Sequence, residues 1–259
     1  MLSRRDLAVK YQSSALGYLW SLLEPLLQAL VYWFVFGVLY HSNRDLIDPV
    51  TGHKLDVGYP LYIVSSIFAW MWFSSGINES THALSSQSSL ITTLQVRREI
   101  FPLSRVTSRA AEFLAGIPVI AVFALIFNGS FTWRLALYPM VFAIEGTLLV
   151  GVSLILAPLN VLYRDIERMT RVAVRLLMYS APVIYPLSRV FTPSVPHWVS
   201  TVYKLNPLVG IVELNHGMWI PALMPSWHVI LTAVCGSVIV FMFGWWVFRR
   251  FESAVLKEL

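Results

Sequence analysis

The chain has 259 residues, of which 57% are hydrophobic and only 13% charged, with a mean hydropathy of +0.66. A soluble domain carries about a quarter charged residues and needs them to cover its surface, so this composition excludes one and points to a chain whose outer surface is solvated by lipid. The net charge of +5 would suit nucleic acid, but the positions of the basic residues point instead to membrane topology and anionic lipid.

In chain order, residues 1–21 are amphipathic, with Leu2, Leu7, Tyr11, Leu16 and Leu19 interleaved with charged and hydroxyl residues, as in a helix lying along the inner membrane face. Gly17, Glu24 and Pro25 interrupt any signal-peptide pattern. Apolar runs then predict six spans: Leu22–Tyr40, Tyr59–Ile77, Val106–Phe127, Trp133–Leu156, the shorter Val172–Tyr185, and Val229–Phe248. Between them, 85–98 reads as a cytosolic helix ending in a basic cluster, and 160–168 as a short cytosolic turn. The 186–227 stretch reads as a long external region, in which Val209–Trp219 is helical but too short to span. The whole chain reads as one transmembrane domain, and the single Cys235 cannot form an internal disulfide.

The basic residues orient these spans. Arg4, Arg5, Lys10, Arg97, Arg98, Arg105, Arg109, Arg164, Arg168, Arg171, Arg175, Arg249, Arg250 and Lys257 fall on one side, 14 of the 19 Lys and Arg. The richer side is cytoplasmic, so both termini are expected there, as an even number of spans requires.

Few residues suggest chemistry. The six His lack metal-ligand spacing, and there is no phosphate-binding Walker loop and no nucleophile elbow. Asp48, Asp56 and Glu79 read as solvated loop acids. Glu24, Glu112 and Glu145 lie in or near spans, where a charge is expensive and points to an interior contact. Arg109 and Glu112 are three apart and can pair on one helix. Tyr32, Phe36 and Tyr40, in steps of four, share one α-helical face and could line a passage, whereas each aromatic taken singly suits the core or the interface.

Several segments carry a family resemblance: Arg4-Arg5-Asp6-Leu7 with Lys10, Tyr11, Ser14, Leu16, Gly17, Trp20 and Pro25; Arg97-Arg98-Glu99-Ile100-Phe101-Pro102; Asn160 to Ile166; Pro182-Val183-Ile184-Tyr185-Pro186; and Asn206-Pro207. In this order they span essentially the whole chain, which resembles the membrane subunit of bacterial type-2 ABC exporters, most closely the Wzm-like permeases for O-antigen, galactan and teichoic acid. The resemblance implies a non-catalytic permease of the bacterial inner membrane. It would be paired with a second copy of itself and with two copies of a separate ATPase that holds ATP and Mg, this chain binding no cofactor of its own. It would move a polyprenyl-linked glycan.

The resemblance also assigns roles. Residues 1–21 would be the interface helix, 85–98 a coupling helix, 160–168 a second cytoplasmic contact and 186–227 re-entrant gate helices. Arg97, Arg98, Glu99, Asn160, Arg164 and Asp165 would couple to the ATPase. Arg4, Arg5, Lys10, Tyr11, Glu24, Arg109 and Glu112 would admit or gate substrate. Tyr32, Trp33, Phe36, Tyr40, Tyr179 and Tyr185 would line the channel. Three alternatives remain open: an exporter of a small amphiphile or drug, a membrane-embedded enzyme acting on a lipid-linked sugar, and a structural membrane partner without transport.

Overall fold

In a computed structural model of the protein, residues 19–39, 46–48, 51–88, 97–187 and 196–258 are described. Among them the chain is all-helical, apart from one isolated bridge between Ile47 and Lys54. In lipid a helix satisfies its own backbone groups, so apolar sequence of this length becomes helix whatever its residue propensities. The helices are α1 (Trp20–Tyr32), α2 (Tyr59–Thr81), α3 (Ile100–Ile126), α4 (Tyr138–Leu162), α5 (Ile166–Ser180), α6 (His197–Leu205), α7 (Pro207–Trp219) and α8 (Trp227–Glu258). Proline stands in the first turn of α2, α4 and α7, where its missing N–H costs nothing.

Four helices among the described residues are long and apolar enough to cross a membrane: α2, α3, α4 with its 3₁₀ lead-in from Trp133, and α8. This corrects the expectation of six such helices. The first expected span is apolar only over Leu22–Val35, and α1 passes at Trp33 into a π-helical run to Leu39. The fifth, expected at Val172–Tyr185, is instead α5, shifted six residues towards the N-terminus. It is fifteen residues long, carries Glu167, Arg168, Arg171 and Arg175, and buries only the stripe Thr170, Val174 and Met178. The Pro182–Pro186 segment stops it, because a residue before proline is pushed out of the helical region.

α2 is the central helix, enclosed along most of its length by α1, α3, α4, α5 and α7. α8, about 48 Å long at 1.5 Å per residue, lies on the periphery and packs along α4. Their axes approach closely because Gly151 and Gly244 face each other: a Cβ on Gly244 would fall 2.1 Å from the Gly151 carbonyl oxygen. A second small core of Ala83, Leu84, Phe101, Leu154, Ala157, Phe248 and Val255 ties α2, α3, α4 and α8 together at one end, the end rich in arginine.

α6 and α7 form a hairpin with its turn at Asn206, whose side chain accepts from the Leu208 N–H at 3.0 Å and caps α7. α7 runs antiparallel to α8. Gly217 lies against Met224, Gly210 against Val229 and Ala233, and Pro207 against Gly236. The hairpin tip therefore sits nine residues down α8 from Trp227, about 14 Å along its axis.

Candidate functional site

Three polar constellations stand out on this scaffold. The first is at the arginine-rich end. Arg98 and Glu99, just before α3, do not project freely: Arg98 Nη1 donates to Glu252 Oε1 on α8 at 3.0 Å. Glu99 is buried, with Arg249 3.9 Å away, and Arg249 in turn lies 3.7 Å from Glu252 and over the Trp245 ring at 4.8 Å. Arg97 is exposed, as are Arg164 and Asp165 in the turn between α4 and α5. Asn160 is turned inward, and its Oδ1 accepts from the Glu167 N–H at 3.0 Å, so α4 caps the start of α5.

The second lies about three helical turns further along α3. Arg109 on α3 is buried and holds two carboxylates. Its Nη1 donates to Glu112 at 2.6 Å, its Nε donates to Glu79 Oε2 at 2.8 Å, and its Nη2 donates to Glu79 Oε1. The Arg109–Glu112 pair is where helical spacing put it. Glu79 corrects the reading of a solvated loop acid: it sits in the last turns of α2, and its fork-to-fork match with Arg109 joins α2 to α3. A loop boundary drawn four residues early at Ile77 hid it. Glu145, in the middle of α4, is fully buried, and neither of its oxygens has a hydrogen-bond partner among the described residues. Glu24 is exposed on α1.

The third is at the opposite end and was not foreseen. The backbone after α5 is non-helical and buried, so its carbonyls require partners that water cannot supply. α2 provides them. Tyr59 Oη donates to the Ile184 carbonyl, Tyr62 Oη reaches those of Pro182 and Tyr185 at 2.9 and 2.8 Å, and Ser66 Oγ lies 3.5 Å from that of Val183. His216 on α7 adds its Nε2 to the Pro182 carbonyl at 3.0 Å while its ring stacks on Tyr62, with centroids 3.9 Å apart. A carbonyl only accepts, so Nε2 carries the hydrogen; Nδ1 lies 2.9 Å from Ser65 Oγ, whose one hydroxyl hydrogen is shared between it and the Tyr62 carbonyl at 2.8 Å. Burial holds the ring neutral by lowering its pKa to about 4. Tyr185 Oη meets Tyr203 Oη of α6 and donates to the Tyr179 carbonyl at 2.7 Å. The signal for this clamp was present in the sequence: tyrosines and hydroxyls on one turn of α2, and a Pro-flanked segment that must leave carbonyls unpaired.

Of the expected lining residues, Tyr32 is half-buried, accepting from Gln28 Nε2 at 2.6 Å and donating to Met178 Sδ at 3.2 Å, so α1 meets the end of α5. Tyr179 beside Met178 is exposed, and Trp33 borders an apolar groove with Leu26, Ala29, Pro60 and Phe127. Phe36 lies in the π-helical run, whose i→i+5 bonding widens the turn; the α-helical register that set Tyr32, Phe36 and Tyr40 on one face does not hold there. Tyr40 lies outside the described residues, as do Arg4, Arg5, Lys10 and Tyr11, and so do 89–96 of the expected coupling helix. Among the described residues no three His, Cys, Asp or Glu cluster as metal ligands would.

Crossing helices, an ion-paired end and an aromatic-clamped end make up the described scaffold. The model of a family described as ABC-2 type transporter matches residues 1–215. The chain belongs to the ABC-2 type transporter family. It is accordingly a membrane permease subunit, all-helical and inserted through several apolar spans. It is 27% identical over 97% of its length to an O-antigen export system permease protein of Myxococcus xanthus, covering 90% of that protein. It is 29% identical over 82% of its length to the O-antigen export system permease protein of Klebsiella pneumoniae, covering 76% of it. It is 21% identical over 98% of its length to the polysialic acid transport protein KpsM of Escherichia coli, covering 93% of it.

Proposed function

We propose that this permease exports a lipid-linked polysaccharide from the cytoplasm across the bacterial inner membrane, driven by a separate ATPase. The observation that carries the proposal is the relationship over nearly the full length of both chains to an O-antigen export permease. In this reading two copies of the chain pair with two ATPase subunits that hold ATP and Mg, and the substrate is a polyprenyl-linked glycan.

The chain crosses six times, with both termini cytoplasmic. Support for the fifth crossing is positional. α5 starts at the Asn160 cap on the arginine-rich end of α4, and the segment that follows it ends on Tyr59, the first residue of α2 at the opposite end. A helix of fifteen residues, about 22 Å, plus an extended tail therefore covers the distance. The α6–α7 hairpin is a re-entrant gate on the external side. Its short helices and its depth against α8 support this, as does the rule that irregular backbone at membrane depth must be buried in protein.

On the cytoplasmic side, Arg97, Arg164 and Asp165 form the outward contacts with the ATPase, while Arg98, Glu99 and Asn160 pass the push inward. Arg4, Arg5, Lys10 and Tyr11, with Glu24, meet the anionic linker of the substrate. The Arg109–Glu112 pair braces the adjoining gate. Tyr32, Trp33, Phe36, Tyr40, Tyr179 and Tyr185 line or border the passage, where stacking grips sugars weakly and repeatedly. Export of a small amphiphile is the second reading, favoured by the apolar groove beside Trp33.

The test is reconstitution of the chain with its ATPase in vesicles and measurement of ATP-dependent translocation of the isolated lipid-linked glycan. Translocation that stops when Arg97 and Asp165 are replaced, with the complex intact, supports the reading. An intact complex that moves small amphiphiles and never the glycan overturns it.

A further inference from the structure

A cavity of about 280 Å³ opens beside the carbonyl clamp, between the hairpin and the start of α8. Its wall includes Ile47, Leu223, Met224 and Val229, which are aliphatic, together with Lys204 of α6 and Glu213 of α7. Glu213 is more than nine-tenths buried, yet no hydrogen bond or ion pair from the described residues reaches its carboxyl group. Glu213 lines the cavity, and burial raises its pKa to about 8, so its carboxyl group is open to a polar occupant. The volume lies just under the usual range of small-molecule sites: room for one ring, not for a polymer coil.

The chemistry narrows the occupant. A divalent cation would need six or more oxygen ligands, whereas the side chains of the wall offer one carboxyl group, the hydroxyls of Tyr62 and Ser226, and a lysine that repels a cation. A purely apolar molecule would leave Glu213 unpaired. A polyol ring satisfies both kinds of wall, its hydroxyls exchanging hydrogen bonds with the Glu213 carboxyl group while its C–H face lies against the aliphatic residues.

From this geometry we infer that the cavity is a subsite for a single sugar unit of the glycan at the external end of the passage. The inference rests on the polysaccharide reading above and adds to it a location and a recognising residue. Glu213 stands one turn from His216, so occupancy touches the same helix that holds the Pro182 carbonyl.

The test uses the complete complex with its ATPase in lipid nanodiscs. The probe is the oligosaccharide released by mild acid from the host's own exported polymer, and binding is read by saturation-transfer NMR. Glu213→Ala is expected to weaken binding at least tenfold. Ile47→Trp, an exposed residue at the cavity mouth whose replacement does not disturb the core, is expected to do the same by covering it. If the same preparation exports the lipid-linked polymer but the oligosaccharide fails to bind, or binds both variants as well as the parent, the subsite is wrong and the export reading stands. If the preparation exports small amphiphiles and no polymer, the export reading falls, and the sugar subsite with it.

Discussion

Arg98 and Glu252, 154 positions apart in sequence, meet at 3.0 Å and join the segment before α3 to the last helix. The pair is about a quarter exposed on each side, so on charge alone it contributes on the order of 1 kcal/mol or less. Its mechanical meaning is larger. A displacement of the segment before α3 reaches α8 through this pair, and α8 is packed along α4. Arg98→Glu is expected to reduce ATP-dependent translocation several-fold while leaving the complex assembled, because it places like charges together. The double exchange with Glu252→Arg is expected to recover most of the loss. A double-mutant cycle on translocation rate and melting temperature measures the coupling; independent effects in the cycle would show that the two residues do not act together.

Arg109 neutralises two carboxylates from two helices. Removing it takes a buried cation from two partly exposed carboxylates, and breaking a fully buried ion pair from one side costs about 3–5 kcal/mol, an upper bound here. Arg109→Leu is expected to abolish accumulation of folded protein. Glu79→Gln is milder, since Glu112 still pairs. The triple variant Arg109→Leu, Glu79→Gln, Glu112→Gln is expected to restore accumulation, because no charge is then stranded. Yield of monodisperse protein in detergent, read by size-exclusion chromatography, checks all three.

Much of this was legible from residue patterns. Apolar runs gave the cores of α2, α3, α4 and α8, which extend four, six, six and ten residues further at the arginine-rich end; spacing gave Arg109–Glu112, and the proline-bounded Val209–Trp219 stretch gave α7. What escaped has physical reasons. α5 is helical through its arginines, which a hydropathy window rejects, while the apolar residues after it are non-helical because of Pro182 and Pro186. The Arg98–Glu252 and Arg109–Glu79 contacts join distant segments, and no local periodicity encodes them. The Tyr59–Tyr62 clamp was seen only as aromatic content, because its partners are backbone carbonyls, which carry no sequence label.

Tyr62 supplies its ring to His216 and its hydroxyl to the carbonyls of Pro182 and Tyr185. Tyr62→Phe keeps the stack and strips the donor. Losing a partner from buried carbonyls costs about 1–3 kcal/mol, and His216 still holds Pro182, so the lower half of that range is expected. Thermal melting in detergent checks it. Crosslinks between cysteines at Ser66 and Val183 should form more slowly in the variant, reporting the loosened segment.

Two buried groups on α7 set opposite limbs of a pH profile. His216 has a folded pKa of about 4 against 6.5 unfolded, so the unfolded chain binds more protons between these values. Stability is full above 6.5 and is lost as pH falls towards 4. Glu213 has a folded pKa of about 8 against 4.5, so the folded chain holds its proton longer. Stability is full below 4.5 and declines as pH rises towards 8. Glu213→Gln is expected to flatten the alkaline decline and leave the acid limb in place, as read from melting temperature across pH 4 to 8.5. An unchanged alkaline limb would assign that decline to another group.

Helical glycines test packing against propensity. Replacing glycine by alanine inside a helix gains about 1 kcal/mol from backbone entropy, whereas overpacking a tight contact costs about 1–3 kcal/mol or more. At Gly244 the new methyl would meet the Gly151 carbonyl oxygen at 2.1 Å, and at Gly151 it would meet the Phe241 backbone at 2.6 Å. Backbone cannot swing aside, so packing wins, and α4 and α8 must separate. Both variants are expected to lower the melting temperature and, through α8, to weaken the response to ATP. Gly146 on the same α4 is the control: its methyl would lie 3.5 Å from the Trp72 ring, an ordinary contact. There propensity wins, and Gly146→Ala is expected to be neutral or stabilising. Equal effects at Gly146 and Gly244 would mean that glycine acts in α4 and α8 through helix propensity alone, and that the close approach of the two helices is not what these positions protect.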